Sequence, residues 1–294
     1  MKKIGYYIFI TKAWFISLLP FRFLYVLSDF LFVIVYHLVR YRRKVTSVNL
    51  TKSFPGLGVD ELKRIEKKYY HNLCDIIVEV IKIRHITPDQ LKKRMVVTNP
   101  EILYDLFNRQ KSVFLAVGHC GNWDWFGKTM PYITQHKVFA IYKELNSNDF
   151  DGYMKSLRSR FGVPSLIESK ATYRSLLQAK DTVNAVFLAG DQTPGGLEAN
   201  YWTSFLNQDT PFFVGIEKMA KSLDYAVLFF DIQRIRRGYY EATISPVSLN
   251  PKETKTNEIT GTYVRLLEKA IVENPENWLW SHRRWKHKRE RVTN

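Results

Sequence analysis

From about residue 112 onward, short apolar or β-branched runs alternate with helix-patterned stretches, and this alternation restricts the fold more than any other feature of the chain. The runs 112–117 (SVFLAV), 137–142 (KVFAIY), 183–189, 225–230 (YAVLFF) and 239–244 (YYEATI) have the length and composition of strands. Between and after them, 123–134, 149–161, 172–180, 213–223 and 257–273 read as helices. Strands separated by helices make a sheet with helices on its faces. The expected fold class is therefore α/β, a central mixed sheet flanked by helices. A length of 294 residues suits one large domain of this kind, and no internal repeat or low-complexity linker divides it.

Ahead of the alternation, residues 60–83 place Leu62, Ile65, Tyr69, Leu73, Ile76, Ile77 and Val80 at helical spacing, with Asp60 as the expected cap. "SFPGLG" before it is a turn, and "TPDQLKKR" after it starts another short helix.

The two ends differ from the middle. Phe23 to Val39 is almost wholly apolar or aromatic, broken by Ser28, Asp29 and His37, and reaches about the lower limit of a membrane span, roughly 17 residues. Asp29 is costly there if it faces lipid. Arg40, Arg42, Arg43 and Lys44 follow, which assigns the rest of the chain to the cytoplasmic side. A true span, an interfacial helix, a shallow hairpin and a buried core helix all fit this stretch. The reading favoured is a hydrophobic membrane-anchoring segment over 1–44 and a catalytic domain over 45–294, on the cytoplasmic side of the membrane. At the other end, "WLWSHRRWKHKRERVTN" carries six Lys/Arg after Ser281 against Glu290 alone, a net of +5, interleaved with Trp278, Trp280 and Trp285. Such a mixture suits an anionic bilayer interface, and a nucleic-acid patch looks similar.

The whole chain has 44 Lys+Arg against 28 Asp+Glu, a net of +16, which implies anionic company: phospholipid head groups, an acidic carrier protein or nucleic acid. Its two cysteines, Cys74 and Cys120, indicate a reducing compartment. With His71 and His119 they have no zinc-ligand spacing.

The stretch 115–125, "LAVGHCGNWDW", carries the chemistry. A buried strand ends at Gly118, and His119 stands at its carboxyl end, where open α/β sheets place their ligands. Five helical residues turn through roughly 500°, so His119 and Asp124 do not share a helix face. They meet only if the chain turns tightly between them, which Gly121 permits. Asn122 can cap the following helix and put Asp124 in its first turn. There Asp124 either holds the imidazole in one tautomer or simply complements the helix dipole.

"GHCGNWDW" resembles the H-x4-(D/E) signature of the glycerolipid acyltransferases. Four further blocks resemble the bacterial lipid A late acyltransferases, the lauroyl/myristoyl branch: "SFPGLGVDELKRIEKKYYHNLCDIIVE", "LRSRFGVP" at 157–164, "LAGDQTP" at 188–194 and "NWLWSHRRWK" at 277–286. They occur in the family's order and cover nearly the whole chain. The chain departs in having Asp124 where Glu is commoner, and Tyr142-Lys143-Glu144 where Tyr-Arg-Pro is common. A Lys keeps the charge but loses the bidentate fork of Arg.

The resemblance implies a glycerolipid-acyltransferase-like fold and a membrane-associated O-acyltransferase. Such an enzyme moves a fatty acyl chain from a thioester, on acyl carrier protein or coenzyme A, to a hydroxyl of a lipid A precursor or related glycolipid. His119 would be the general base and Asp124 its orienting carboxylate. Lys143 or Arg160, with backbone N–H groups near Gly121, would stabilise the oxyanion. Asp191 and Gln192, with Asn122, would line the cleft. No metal or redox cofactor is required, and no nucleic acid is expected as a partner. Two alternatives are a His/Asp lipid hydrolase, against which the absence of a G-x-S-x-G elbow counts, and a basic nucleic-acid-binding protein.

Overall fold

The computed structural model of the chain describes residues 2–144, 147–160, 165–195 and 201–289. At the centre of its sheet lies β2 (Val113–Val117), paired in parallel with β5 (Asn184–Ala189) on one side and β8 (Ala226–Arg236) on the other. Beyond β5, β3 (Lys137–Tyr142) and β4 (Ser165–Glu168) continue the parallel set. Beyond β8, β9 (Tyr239–Ser248) runs antiparallel and β1 (Met95–Val97) pairs with it in parallel. The result is a mixed seven-stranded sheet, with a separate hairpin of β6 (Tyr201–Phe205) and β7 (Gln208–Phe212).

All five residues of β2 are buried, because helices cover both faces of the sheet. Strand alternation divides them: Phe114 and Ala116 join one core, and Val113, Leu115 and Val117 the other. The first core contains α3 (Arg43–Ser53), α9 (Thr172–Gln178), α10 (Gly215–Leu223), α11 (Glu258–Glu273) and the C-terminal tryptophans. The second contains α5 (Pro88–Arg94), α6 (Glu101–Asn108), α7 (Trp123–Thr129) and α8 (Asn148–Arg158).

The expected strands are present, with β8 and β9 longer than read because they are joined as a hairpin through Gly238, at φ +72. The β1 and β4 strands and the β6–β7 hairpin escape a periodicity reading, being short or, like "QDTPF", polar and proline-containing. The long helix α4 covers Val59–Lys82. Its N-cap is Gly58 rather than Asp60, which lies in the first turn and complements the helix dipole.

The N-terminal segment is α1 (Lys2–Leu18), α2 (Phe21–Phe32) and a π-helical continuation, Val33–Leu38. Phe21–Leu38 is long and apolar enough to cross a membrane. One face of it nevertheless packs on the domain. Leu24, Ser28 and Phe32 are buried, and Ala13 of α1 and Phe32 belong to different cores of the domain. Lys82 donates to the carbonyls of Ser17 (2.9 Å) and Leu19 (2.8 Å), satisfying the C-terminal end of α1 before Pro20 opens α2. Ser28 donates to Asp75 of α4 at 2.6 Å. Asp29, the charge that would be costly in lipid, pairs at 2.5 Å with Arg237 of the β8–β9 turn. The opposite faces carry exposed Ile4, Tyr7, Phe15, Phe23, Val26 and Phe30, each more than 60% exposed.

The basic flank is partly consumed by the fold. Arg43 pairs with Glu66 at 2.9 Å, and Arg42 donates to the Ser281 carbonyl. The C-terminal segment differs more from expectation. Trp278 and Trp280 are buried core residues, Trp285 packs against them, and Arg284 is wholly buried, so these residues face protein rather than a bilayer. Arg284 donates to the Pro211 carbonyl at 2.6 Å and lies over the Phe212 ring, and burial pushes its guanidinium down to about 10.

Candidate active site

The register of β2 and β5 builds the site. Val117 stands opposite Ala189, and each strand is followed by a glycine and then a polar residue: Gly118-His119 and Gly190-Asp191. Two residues beyond matched positions, at the carboxyl end of the sheet, His119 and Asp191 come together. His119 Nδ1 is 2.5 Å from Asp191 Oδ1, and the His119 backbone N–H donates to Oδ2 at 2.8 Å. Trp278 Nε1 donates to the same Oδ2 at 2.7 Å. Asp191, only 2% exposed, thus accepts three hydrogen bonds. Burial alone would raise its carboxyl; the His119 charge and these donors outweigh it and hold the group well below the usual carboxylate range. Burial likewise disfavours a charged His119, but the charge and hydrogen bond of Asp191 overcome it, so the imidazole lies above its ordinary 6.5. The carboxylate fixes the tautomer with hydrogen on Nδ1, which leaves the Nε2 lone pair outward. Gln192 Nε2 lies 3.1 Å from it.

The turn after His119 follows expectation. Gly121 adopts φ +55, and a Cβ there would stand 2.9 Å from the Ile232 carbonyl oxygen. Asn122, fully buried, caps α7 by accepting from Trp125 N at 2.9 Å. Asp124 is in the first turn of α7, and the Trp123 ring packs edge-on against the imidazole.

The expected His119–Asp124 hydrogen bond is not what the fold forms; Asp191 occupies Nδ1. The Asp124 carboxylate pairs instead with Arg158 at the end of α8, Nε to Oδ1, at 3.2 Å. Lys128, one turn further along α7, donates to the Arg158 carbonyl, so Arg158 is gripped at both its side chain and its backbone. Burial pushes the Lys128 ammonium down to about 7, against the pull of Asp124. Asp124 still raises the His119 pKa through space, and Arg158 lowers it, so both lie within electrostatic range of the imidazole.

Arg160 turns away, donating to the Ile83 carbonyl at the end of α4, so Arg158 is the arginine beside the site. The remainder of its block, 161–164, lies outside the described residues. Lys143 is exposed after β3, and no hydrogen bond joins it to His119, Asp191 or Gln192 among the described residues. The backbone donors assigned to the oxyanion are also engaged: Gly121 N–H donates to the Asn277 carbonyl at 3.1 Å and His119 N–H to Asp191. Cys120, beside His119, is buried, and burial holds its thiol well above its ordinary value, so it is not poised as a nucleophile. Sequence reasoning gave Asp191 to the cleft but missed its contact with His119. The paired "VGH" and "LAGD" strand ends were the available signal.

The C-terminal block completes the floor. Cys120 and Trp278 form an isolated antiparallel bridge, and Thr193 Oγ1 donates to the Arg284 carbonyl at 2.8 Å. The blocks around His119, Arg158, Asp191 and Trp278, so far as they are described, therefore converge on one place. The family profile described as bacterial lipid A biosynthesis acyltransferase matches residues 1–287. The chain belongs to that family. It is an acyltransferase of the lipid A biosynthesis type, and no curated protein sequence matches it significantly. In this acyltransferase the match includes α1 and α2 as well as the sheet, in keeping with their packing on α4.

Proposed function

We propose that the protein transfers a fatty acyl chain from a thioester donor directly to a hydroxyl of a lipid A precursor, with His119 as general base. The observation carrying this reading is the 2.5 Å contact between His119 Nδ1 and a buried Asp191, which leaves Nε2 as a directed proton acceptor. An alcohol is a weak nucleophile at neutral pH and needs its proton removed as it attacks. The hydroxyl gives its proton to Nε2 as its oxygen bonds to the thioester carbon. Asp191 stabilises the imidazolium so formed. The tetrahedral intermediate collapses with cleavage of the C–S bond, and the Nε2 proton passes to the leaving sulfur.

Arg158 supplies positive charge for the developing oxyanion, aimed by Asp124 and Lys128. Gln192, hydrogen-bonded to Nε2, marks where the acceptor hydroxyl enters and yields that position to it. The motif aspartate, Asp124, serves the arginine more directly than it serves the histidine.

The exposed apolar faces of α1 and α2 make a lipid-contacting surface on the same body as the site, which suits an acceptor that resides in a bilayer. Cytoplasmic-face attachment to the inner membrane, with acyl carrier protein or coenzyme A as the donor's carrier, fits the net charge of +16. The test is transfer of labelled acyl chain to a lipid A precursor in detergent or vesicles by the parent and by His119→Ala. Loss of transfer with an unchanged melting profile is expected; retained transfer contradicts the base.

A further inference from the structure

Glu79 is a wholly buried carboxylate in the last turns of α4, outside the chemistry assigned above. Its surroundings are unusual in that the partners come from three different parts of the fold: α2, the start of α7 and β9. Oε1 accepts from Tyr25 Oη of α2 at 2.9 Å. Oε2 accepts from Asn122 Nδ2 at 2.8 Å and from Tyr240 Oη of β9 at 2.7 Å. Its own backbone carbonyl accepts from the indole Nε1 of Trp125 at 3.0 Å. Burial pushes the carboxyl up to about 7, while the three side-chain donors oppose that rise.

Two of these partners belong to the turn that carries His119. Asn122 lies three residues after the histidine and caps α7 with the oxygen of the same amide whose nitrogen Glu79 holds. An amide with both ends committed has one orientation, so Glu79 decides which way the Asn122 cap faces. Trp125 is the residue whose N–H that cap receives, and Glu79 holds its ring as well. Trp123 lies between them, with its ring against the imidazole. Through Tyr25 the same carboxylate is tied to α2, whose Phe21 ring also packs edge-on against Trp125.

We infer that Glu79 is a positioning residue for the catalytic turn, its carboxylate fixing His119 through Asn122 and coupling the docking of α2 to the geometry of the site. This rests on His119 being the base. A misplacement of a reacting group by about 1 Å costs on the order of 100-fold in rate without changing what binds.

The experiment is steady-state acyl transfer by full-length Glu79→Ala, Glu79→Gln and Tyr25→Phe, each with a thermal melt. Glu79→Ala is expected to lower kcat on the order of 100-fold, with KM for donor and acceptor unchanged. Glu79→Gln restores most of kcat, because its oxygen can accept from Asn122 and Tyr240 while its amide donates to the Tyr25 hydroxyl. Tyr25→Phe, which keeps the ring and removes the hydrogen bond from α2 to Glu79, lowers kcat several-fold at constant KM. A Glu79→Ala protein with a lower melting temperature but parental kcat overturns the inference, as does a kcat loss that Glu79→Gln does not repair. If Glu79→Ala fails to fold, Tyr25→Phe decides: an unchanged kcat overturns the inference. His119→Ala in the same assay separates the two proposals, since an active His119→Ala removes the base reading itself.

Discussion

His119 and Asp191 stand two residues past matched positions of neighbouring parallel strands, and their side chains meet at 2.5 Å. The carboxylate bonded to the imidazole therefore comes from a second strand, not from the H-x4-D motif. Asp191→Asn and Asp124→Asn consequently have different effects. An amide at 191 cannot stabilise an imidazolium, so Asp191→Asn should remove most of what the base supplies, about 100- to 10,000-fold. Asp124→Asn should act through Arg158. In a double-mutant cycle of transfer rates, Asp124→Asn and Arg158→Gln should be strongly non-additive, because they share one ion pair. Additive losses for that pair would show that Asp124 does not work through the arginine.

The pH profile has a sign. A base must be neutral to accept a proton, and Asp191 raises the His119 pKa above its ordinary 6.5. The acid limb of kcat/KM should therefore fall above pH 6.5 in the parent protein. Asp191→Asn takes away the stabilising charge while burial still disfavours the imidazolium, so its residual activity should show the limb moved to lower pH. A limb that stays in place in Asp191→Asn contradicts the pairing.

Glu79 gives a stability prediction of opposite sense to an ordinary carboxylate. Its pKa is raised from 4.5 to about 7 in the folded chain, facing Asp75 on its own helix, Tyr25 from α2, and Tyr240 and Asn122 across the core. The folded state thus binds more protons than the unfolded between those values, and this group's contribution falls as pH rises from about 4.5 through 7. Relative to the parent, Glu79→Gln should gain melting temperature steadily from pH 5 to pH 8. Parallel melting curves for the two proteins would contradict the buried, titrating carboxylate.

The N-terminal helices are joined to the domain by polar contacts that composition does not reveal. Lys82, 6% exposed, caps the end of α1 through two carbonyls. Lys82→Met should cost about 2 kcal/mol, the scale of a lost charge-assisted hydrogen bond, and lower the melting temperature by several degrees. Removal of residues 2–39 should be worse, exposing the faces of α4 that Phe32 and Tyr36 cover, and should yield aggregated protein rather than a soluble domain. A monomeric, cooperatively melting truncation would show that the segment is separable.

Much of this architecture was legible in the sequence, because a strand buried on both faces must be a continuous apolar run and a capped helix must begin with a residue like Asn122. The turn at Gly121 and the placement of His119 at a strand end followed from the same local rules. The His119–Asp191 contact did not, since 72 residues separate the partners and only the sheet register aligns them. The C-terminal tryptophans misled for a related reason. Basic and aromatic residues suit a bilayer interface and also a core in which Trp278 holds Asp191 and Arg284 stacks on Phe212. Asp29 was a puzzle in one dimension only; its partner, Arg237, is 208 residues away.

The most direct test of the central claim is the rate of labelled acyl transfer to a lipid A precursor by Asp191→Asn, with His119→Ala and the parent measured alongside at matched thermal stability. The account predicts that Asp191→Asn falls by at least about 100-fold, toward the level of His119→Ala. An Asp191→Asn protein that transfers acyl chains within a few-fold of the parent would contradict it.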